Sequence, residues 1–204
     1  MLKYFAFTKH IESMTAVLKM NIQELDTKFI EDLKRQFASS EVEIHVHEQP
    51  LTPSTLTTND FWDIIEQLDW SREGDDAAVV EPVIEILQER PLAHIYRFED
   101  ILSERLWHLD TEKHAKVFLN NPKEGYLSVD DFLYTRCAVV ANGREFYQDV
   151  LDNPSKMPED LGFESLLYVA MNAYKRKTGK EFVFIPAHNY ETYRNKEGWR
   201  NKAV

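Results

Sequence analysis

Between Thr57 and Gly179 apolar residues recur every three or four positions, in one short run after another. That spacing gathers apolar side chains onto one face of a helix, so the stretch is expected to bury itself as a bundle of helices. Several runs open on capping residues. Thr57 with Asp60 forms a capping box ahead of Phe61, Ile64, Ile65 and Leu68, and Ser128 with Asp131 repeats it ahead of Leu133, Cys137 and Val140. Thr111 caps a short helix through Leu119, and Gly143 and Gly179 act as stops. Pro82 interrupts the stripe Val79, Val80, Val83, Ile84 and Leu87, which predicts a kink or a late helix start. Pro91 suits a first helical position before the longest stripe, Leu92 to Leu109. Phe182–Ile185 reads as a short strand within an irregular tail that ends at residue 204.

The front of the chain is written differently. Thr15–Ile22 alternates as a strand, Asp26 heads a helix with Phe29, Ile30, Leu33 and Phe37 on one stripe, and Glu41–His47 alternates again. The expected fold class is therefore mainly α: about six helices, preceded by a small strand–helix–strand (α/β) unit over residues 1–48. Residues 49–57, with two prolines and several hydroxyl side chains, read as the linker, and 58–204 as the helical domain. Residues 1–13 show no stripe to bury. They precede Met14, where regular patterning begins, and are expected to add little stability; a natural start at Met1, Met14 or Met20 stays open. The N-terminal unit is the expected seat of any homodimer contact.

Composition narrows the chemistry. No apolar run approaches the roughly 20 residues that span a bilayer, and no secretory leader is visible, so no membrane association and a cytoplasmic location are expected. A single cysteine, Cys137, leaves no disulfide framework. The net charge of −11 opposes general phosphate-backbone binding, so direct contact with nucleic acid is not expected. That charge is concentrated: residues 49–125 carry 16 acidic and 7 basic side chains, a net of −9. A basic knot, Lys175, Arg176, Lys177 and Lys180, sits near the end.

Few residues point to chemistry. His45 and His47, with Glu43 on the same strand face, have the spacing of two metal ligands, but no closed ligand set accompanies them, and no metal is assigned. Cys137 lies on an apolar stripe and reads as a small inert hydrophobe. His108 and His114 flank a helix break without a pairing nucleophile, and Asp75–Asp76 and Asp130–Asp131 sit where helices begin and acidic side chains are favoured. There is no glycine-rich phosphate loop and no hydrolase or EF-hand signature, so no catalytic residue and no cofactor are assigned. Arg136 is more informative. It stands at the edge of an apolar face, where an unpaired charge is very costly. Two readings stay open. One is a structural lock onto Glu66, Glu99, Asp100 or Glu104; the other is an anion pocket formed by Tyr134, Arg136, Arg144 and Tyr147. On the acidic middle, Glu81, Glu85 and Glu89 recur at spacing four, as a solvated face or a docking face.

The segments FWDIIEQLDW (61–70), YRFEDILSERLWHLD (96–110), FLYTRCAVVANGREFY (132–147) and NYETYRNKEGW (189–199) resemble an uncharacterised bacterial family, a domain of unknown function sometimes joined to WGR domains. The resemblance covers about residues 58–199, and the strand–helix–strand front resembles short units that precede the domain in stand-alone relatives. It implies no activity and no site residues. The WGR association implies a nucleic-acid context, although no WGR module is visible in this chain. The expected function is that of a non-enzymatic acidic interaction protein, antitoxin- or immunity-like, with a basic protein partner. The alternatives are a small enzyme or ligand binder using the Arg136–Arg144 pocket, and an accessory protein of nucleic-acid metabolism.

Overall fold

A computed structural model of the chain describes residues 27–38, 55–119 and 127–200. The chain divides into two units, Met1–Glu48 and Gln49–Val204. The described part of the first is one helix, α1 (Thr27–Gln36), with Phe29 and Leu33 half-buried and Phe37 just past its end. The flanking strands read from the sequence, the pair His45 and His47, residues 1–13 and most of the linker lie outside the described residues.

The second unit is helical. Its seven α-helices among the described residues are α2 (Thr58–Ile65), α3 (Asp76–Glu89), α4 (Leu92–Leu109), α5 (Glu112–Leu119), α6 (Val129–Ala141), α7 (Arg144–Asp152) and α8 (Val169–Thr178). The caps explain the boundaries. The Thr57 hydroxyl accepts from the Asp60 amide while the Asp60 carboxylate accepts from the Thr57 amide, a complete capping box. Asp75, Thr111 and Ser128 accept from the Ala78, His114 and Asp131 amides at the starts of α3, α5 and α6. Gly179 ends α8 in the left-handed region, at φ 70°.

One local expectation is narrowed and another is corrected. Helix α3 does not start late: it begins six residues before Pro82 and runs through it. The ring removes one backbone bond and costs about 3 kcal/mol. Burial of Val79, Val80, Val83, Ile84 and Leu87, at roughly 1.5–3 kcal/mol each, outweighs that cost. Phe182–Ile185 forms no strand. Exposure does alternate there, with Phe182 and Phe184 half-buried and Val183 and Ile185 each 89% exposed, but no neighbouring strand pairs with it among the described residues.

Helix α4 is the axis of the core. Ile95, Phe98, Ile101, Leu102, Leu106 and Leu109 are fully buried, and the helix packs on both α6 and α8. The tail then wraps back over the end of α4. Asp110, buried at the α4–α5 corner, accepts from the backbone amides of Tyr193, Arg194 and Asn195 and from Trp199 Nε1, at 2.8–3.1 Å. Tyr193 stands at φ 71° and so turns its amide, with the next two, onto one carboxylate. Gly198 approaches so closely that an added Cβ would lie 2.7 Å from Thr111 Cγ2 and 2.9 Å from the Asp110 carbonyl.

Candidate functional site

The sequence-predicted arginines do not come together. Arg136 is 0% exposed. Its Nε donates to the Phe132 carbonyl, Nη1 to the Leu106 and Tyr190 carbonyls, and Nη2 to the Thr192 hydroxyl, which in turn donates to the Val129 carbonyl. None of the four expected carboxylates is its partner; the negative charge that most favours it is that of Asp110. Arg144 lies at the surface on the first turn of α7, with Nη1 donating to Asn59 Oδ1 at 3.0 Å. Tyr147 is buried against the Trp62 ring, and its hydroxyl donates to the Arg105 carbonyl. Burial pushes it up to about 12.

Of the three glutamates on α3, Glu81 is engaged within the chain. Arg176 donates to both its oxygens, at 2.6 and 2.8 Å, and this holds the Glu81 carboxyl below its ordinary range. Lys177 Nζ donates to the Gln88 carbonyl on the same helix. The basic knot thus meets the acidic helix inside the molecule, while Glu85 and Glu89 stay exposed. Cys137 is buried, and burial pushes its thiol up to about 12, the inert state expected of it.

Tyr134 leads to a site that the spacing alone did not assemble. A cleft of about 400 Å³ opens between α4, α6, the 3-10 turn Glu164–Tyr168, α8 and the tail. Glu99 of α4 is its deepest carboxylate, at 6% exposure; Glu164 is half-buried, and Asp130 and Glu191 are exposed. Tyr134, Tyr168, Tyr190, Phe182 and Phe184 supply the rings, and Leu133, Leu167 and Met171 the aliphatic wall. Among the described residues, no basic side chain lines it.

The polar groups fit that description. The Tyr168 hydroxyl donates to the Glu164 carboxylate, and this bond pushes the Tyr168 phenol up to about 12. Partial burial, and then the Glu164 charge, raise Tyr134 as well. Burial and then the Glu99 charge raise Tyr190, whose carbonyl is held by Arg136. Burial, and then the charge of Asp100, raise the Glu99 carboxyl to about 7. No ion pair reaches Glu99 among the described residues; the one side-chain neighbour that favours its charge is the Ser103 hydroxyl, one turn further along α4. No group of three or more metal-ligating side chains occurs among the described residues.

The sequence did carry a signal for Glu99. It lies four after Ile95 and three before Leu102, a charge written into an apolar stripe, as Arg136 is. Its partners in the cleft come from the tail and from α6, too distant along the chain to be read from spacing.

The fold and cleft define a mainly helical domain with a buried arginine clamp at its tail and an acidic, ring-lined recess beside it. The chain belongs to the family described as a protein of unknown function (DUF4240), which its residues 56–176 match, more than half of the chain. The matched stretch includes Glu99, Asp130, Tyr134, Arg136 and Glu164, and stops before the tail wall of the cleft. No curated protein and no solved structure matches the chain.

Proposed function

We propose that the protein is a non-enzymatic interaction module that binds a basic protein partner and takes a cationic side chain of that partner into the cleft. The observation that carries this reading is Glu99, a carboxylate buried in a ring-lined cleft that no cation among the described residues pairs with. Burying an unpaired carboxylate is expensive, and a site that keeps one is built for a charge that arrives from outside. Aromatic walls suit that visitor, because ring faces attract cations. The overall charge of −11 speeds the encounter by long-range attraction. An anion-binding enzyme is less well supported, because the donors of Arg136 are spent on carbonyls and a hydroxyl of its own chain.

The test is fluorescence anisotropy with short labelled peptides of equal length, one rich in lysine and arginine and one rich in glutamate. The basic peptide is expected to bind and to weaken as salt shortens the Debye length from about 10 Å at 0.1 M. Changing Glu99, Asp130, Glu164 and Glu191 together to their amides is expected to abolish the difference. Equal binding of basic and acidic peptides, or an amide variant as good as the parent, would remove the reading.

A further inference from the structure

We infer that the cleft is an arginine site: the guanidinium of a partner's arginine pairs with the Glu99 carboxylate at the base, and its alkyl stem lies along the Leu133–Met171 wall. The inference rests on the reading just proposed and narrows it from a basic partner to one side chain. Glu99 alone at the bottom offers one two-oxygen acceptor, the complement of a planar fork with paired N–H donors. The tyrosine and phenylalanine rings around it favour a flat, delocalised cation, which stacks on aromatic faces. An ammonium is a compact and strongly hydrated charge, and it loses more on leaving water for such walls. A metal ion is the other cation that carboxylates attract, but no three acidic side chains of the cleft stand close enough to share one. The exposed Asp130 and Glu191 then face the neighbours of the inserted arginine, so a basic stretch is the sequence context that fits the rim.

The experiment uses the full chain at about pH 8, above the range in which the Glu99 carboxyl titrates. Four glycine-rich peptides carry a single arginine, lysine, citrulline or trimethyl-lysine at the centre, and their binding is followed by anisotropy and by isothermal titration. The arginine peptide is expected to bind at least about tenfold more tightly than the lysine peptide, a loss of one charged fork. Citrulline, of like shape but uncharged, is expected not to bind. Glu99→Gln, which keeps the volume, is expected to lose about tenfold or more in arginine affinity. Tyr168→Ala, at a half-exposed position, offers a second variant that disturbs the fold little, and it is expected to weaken the same peptide. Lysine or trimethyl-lysine binding as tightly as arginine would overturn the arginine assignment and leave the basic-partner reading standing. An arginine affinity unchanged in Glu99→Gln would overturn it too. If the single-arginine peptide and the longer basic peptide both fail to bind, both readings fall together.

Discussion

Arg136 and Asp110 are opposite charges buried in one small region, and neither forms a direct ion pair with the other in the hydrogen-bond pattern. Each instead binds the tail, and Arg136 also holds the Phe132 and Leu106 carbonyls. Arg136 holds the Tyr190 carbonyl and the Thr192 hydroxyl; Asp110 holds three successive amides and the Trp199 indole. Burial pulls the Arg136 pKa down and the charge of Asp110 pushes it back up. Arg136→Ala is expected to cost about 3–5 kcal/mol in urea denaturation, from a void in the core, orphaned carbonyls and an uncompensated Asp110. Arg136→Lys restores the charge but not the spread of donors, and is expected to recover less than half of that. A loss below about 1 kcal/mol for the alanine variant would contradict this account of the clamp. That Arg136 needed a partner was legible from a charge at the edge of an apolar stripe. Which partner was not: every residue has a carbonyl, so spacing could single out only carboxylates such as Glu66 and Glu104.

At the scale of elements, helix boundaries were legible because caps are local chemistry: Thr57 with Asp60, Ser128 with Asp131 and Gly179 each act within a few residues. The tail was not. Phe182–Ile185 has the alternation of a strand, yet its inward rings meet Tyr96 and Tyr174 of α4 and α8 instead of a sheet. Its anchors lie more than 80 residues back in the chain, at Asp100 and Asp110. The α3–α8 pairing is an intermediate case, since the acidic face and the basic knot were both visible but not their meeting. The Arg176–Glu81 fork has good geometry, but both side chains are about two-fifths exposed. Arg176→Ala is therefore expected to cost less than about 1 kcal/mol, with a smaller effect at high salt. A loss of several kcal/mol in thermal melts would mean that apolar packing between α3 and α8 depends on the fork.

For the whole molecule, two buried groups of opposite habit act across the same pH range. His114 is 3% exposed, and its Nε2 stands 3.2 Å from the Val150 carbonyl. That contact requires Nε2 to carry the proton, so Nδ1 accepts from the Thr111 hydroxyl at 2.7 Å. Burial lowers the His114 pKa to about 4. The unfolded chain takes up this proton near 6.5 and the folded one only near 4, so the His114 contribution is present above about 6.5 and lost as the pH falls to 4. Glu99 runs the other way. With a folded pKa of about 7 against 4.5, its burial carries no penalty below 4.5, and the penalty grows to completion as the pH rises past 7. Each spans about 3 kcal/mol, at 1.36 kcal/mol per pKa unit. Between about 4.5 and 6.5 the two slopes largely cancel. Glu99→Gln removes one of them. The variant is expected to match the parent below about pH 4.5 and to exceed it by about 3 kcal/mol above pH 7, as read by urea titrations at intervals across that range. Its own stability is then expected to climb steeply up to about 6.5, where the His114 contribution is complete. On the function proposed above, such a gain is the cost to the free protein of holding Glu99 ready for a cation, and a saturating cation is expected to erase the difference by pairing with the parent's Glu99. A gap between variant and parent that stays constant with pH would show that Glu99 does not titrate as its burial dictates.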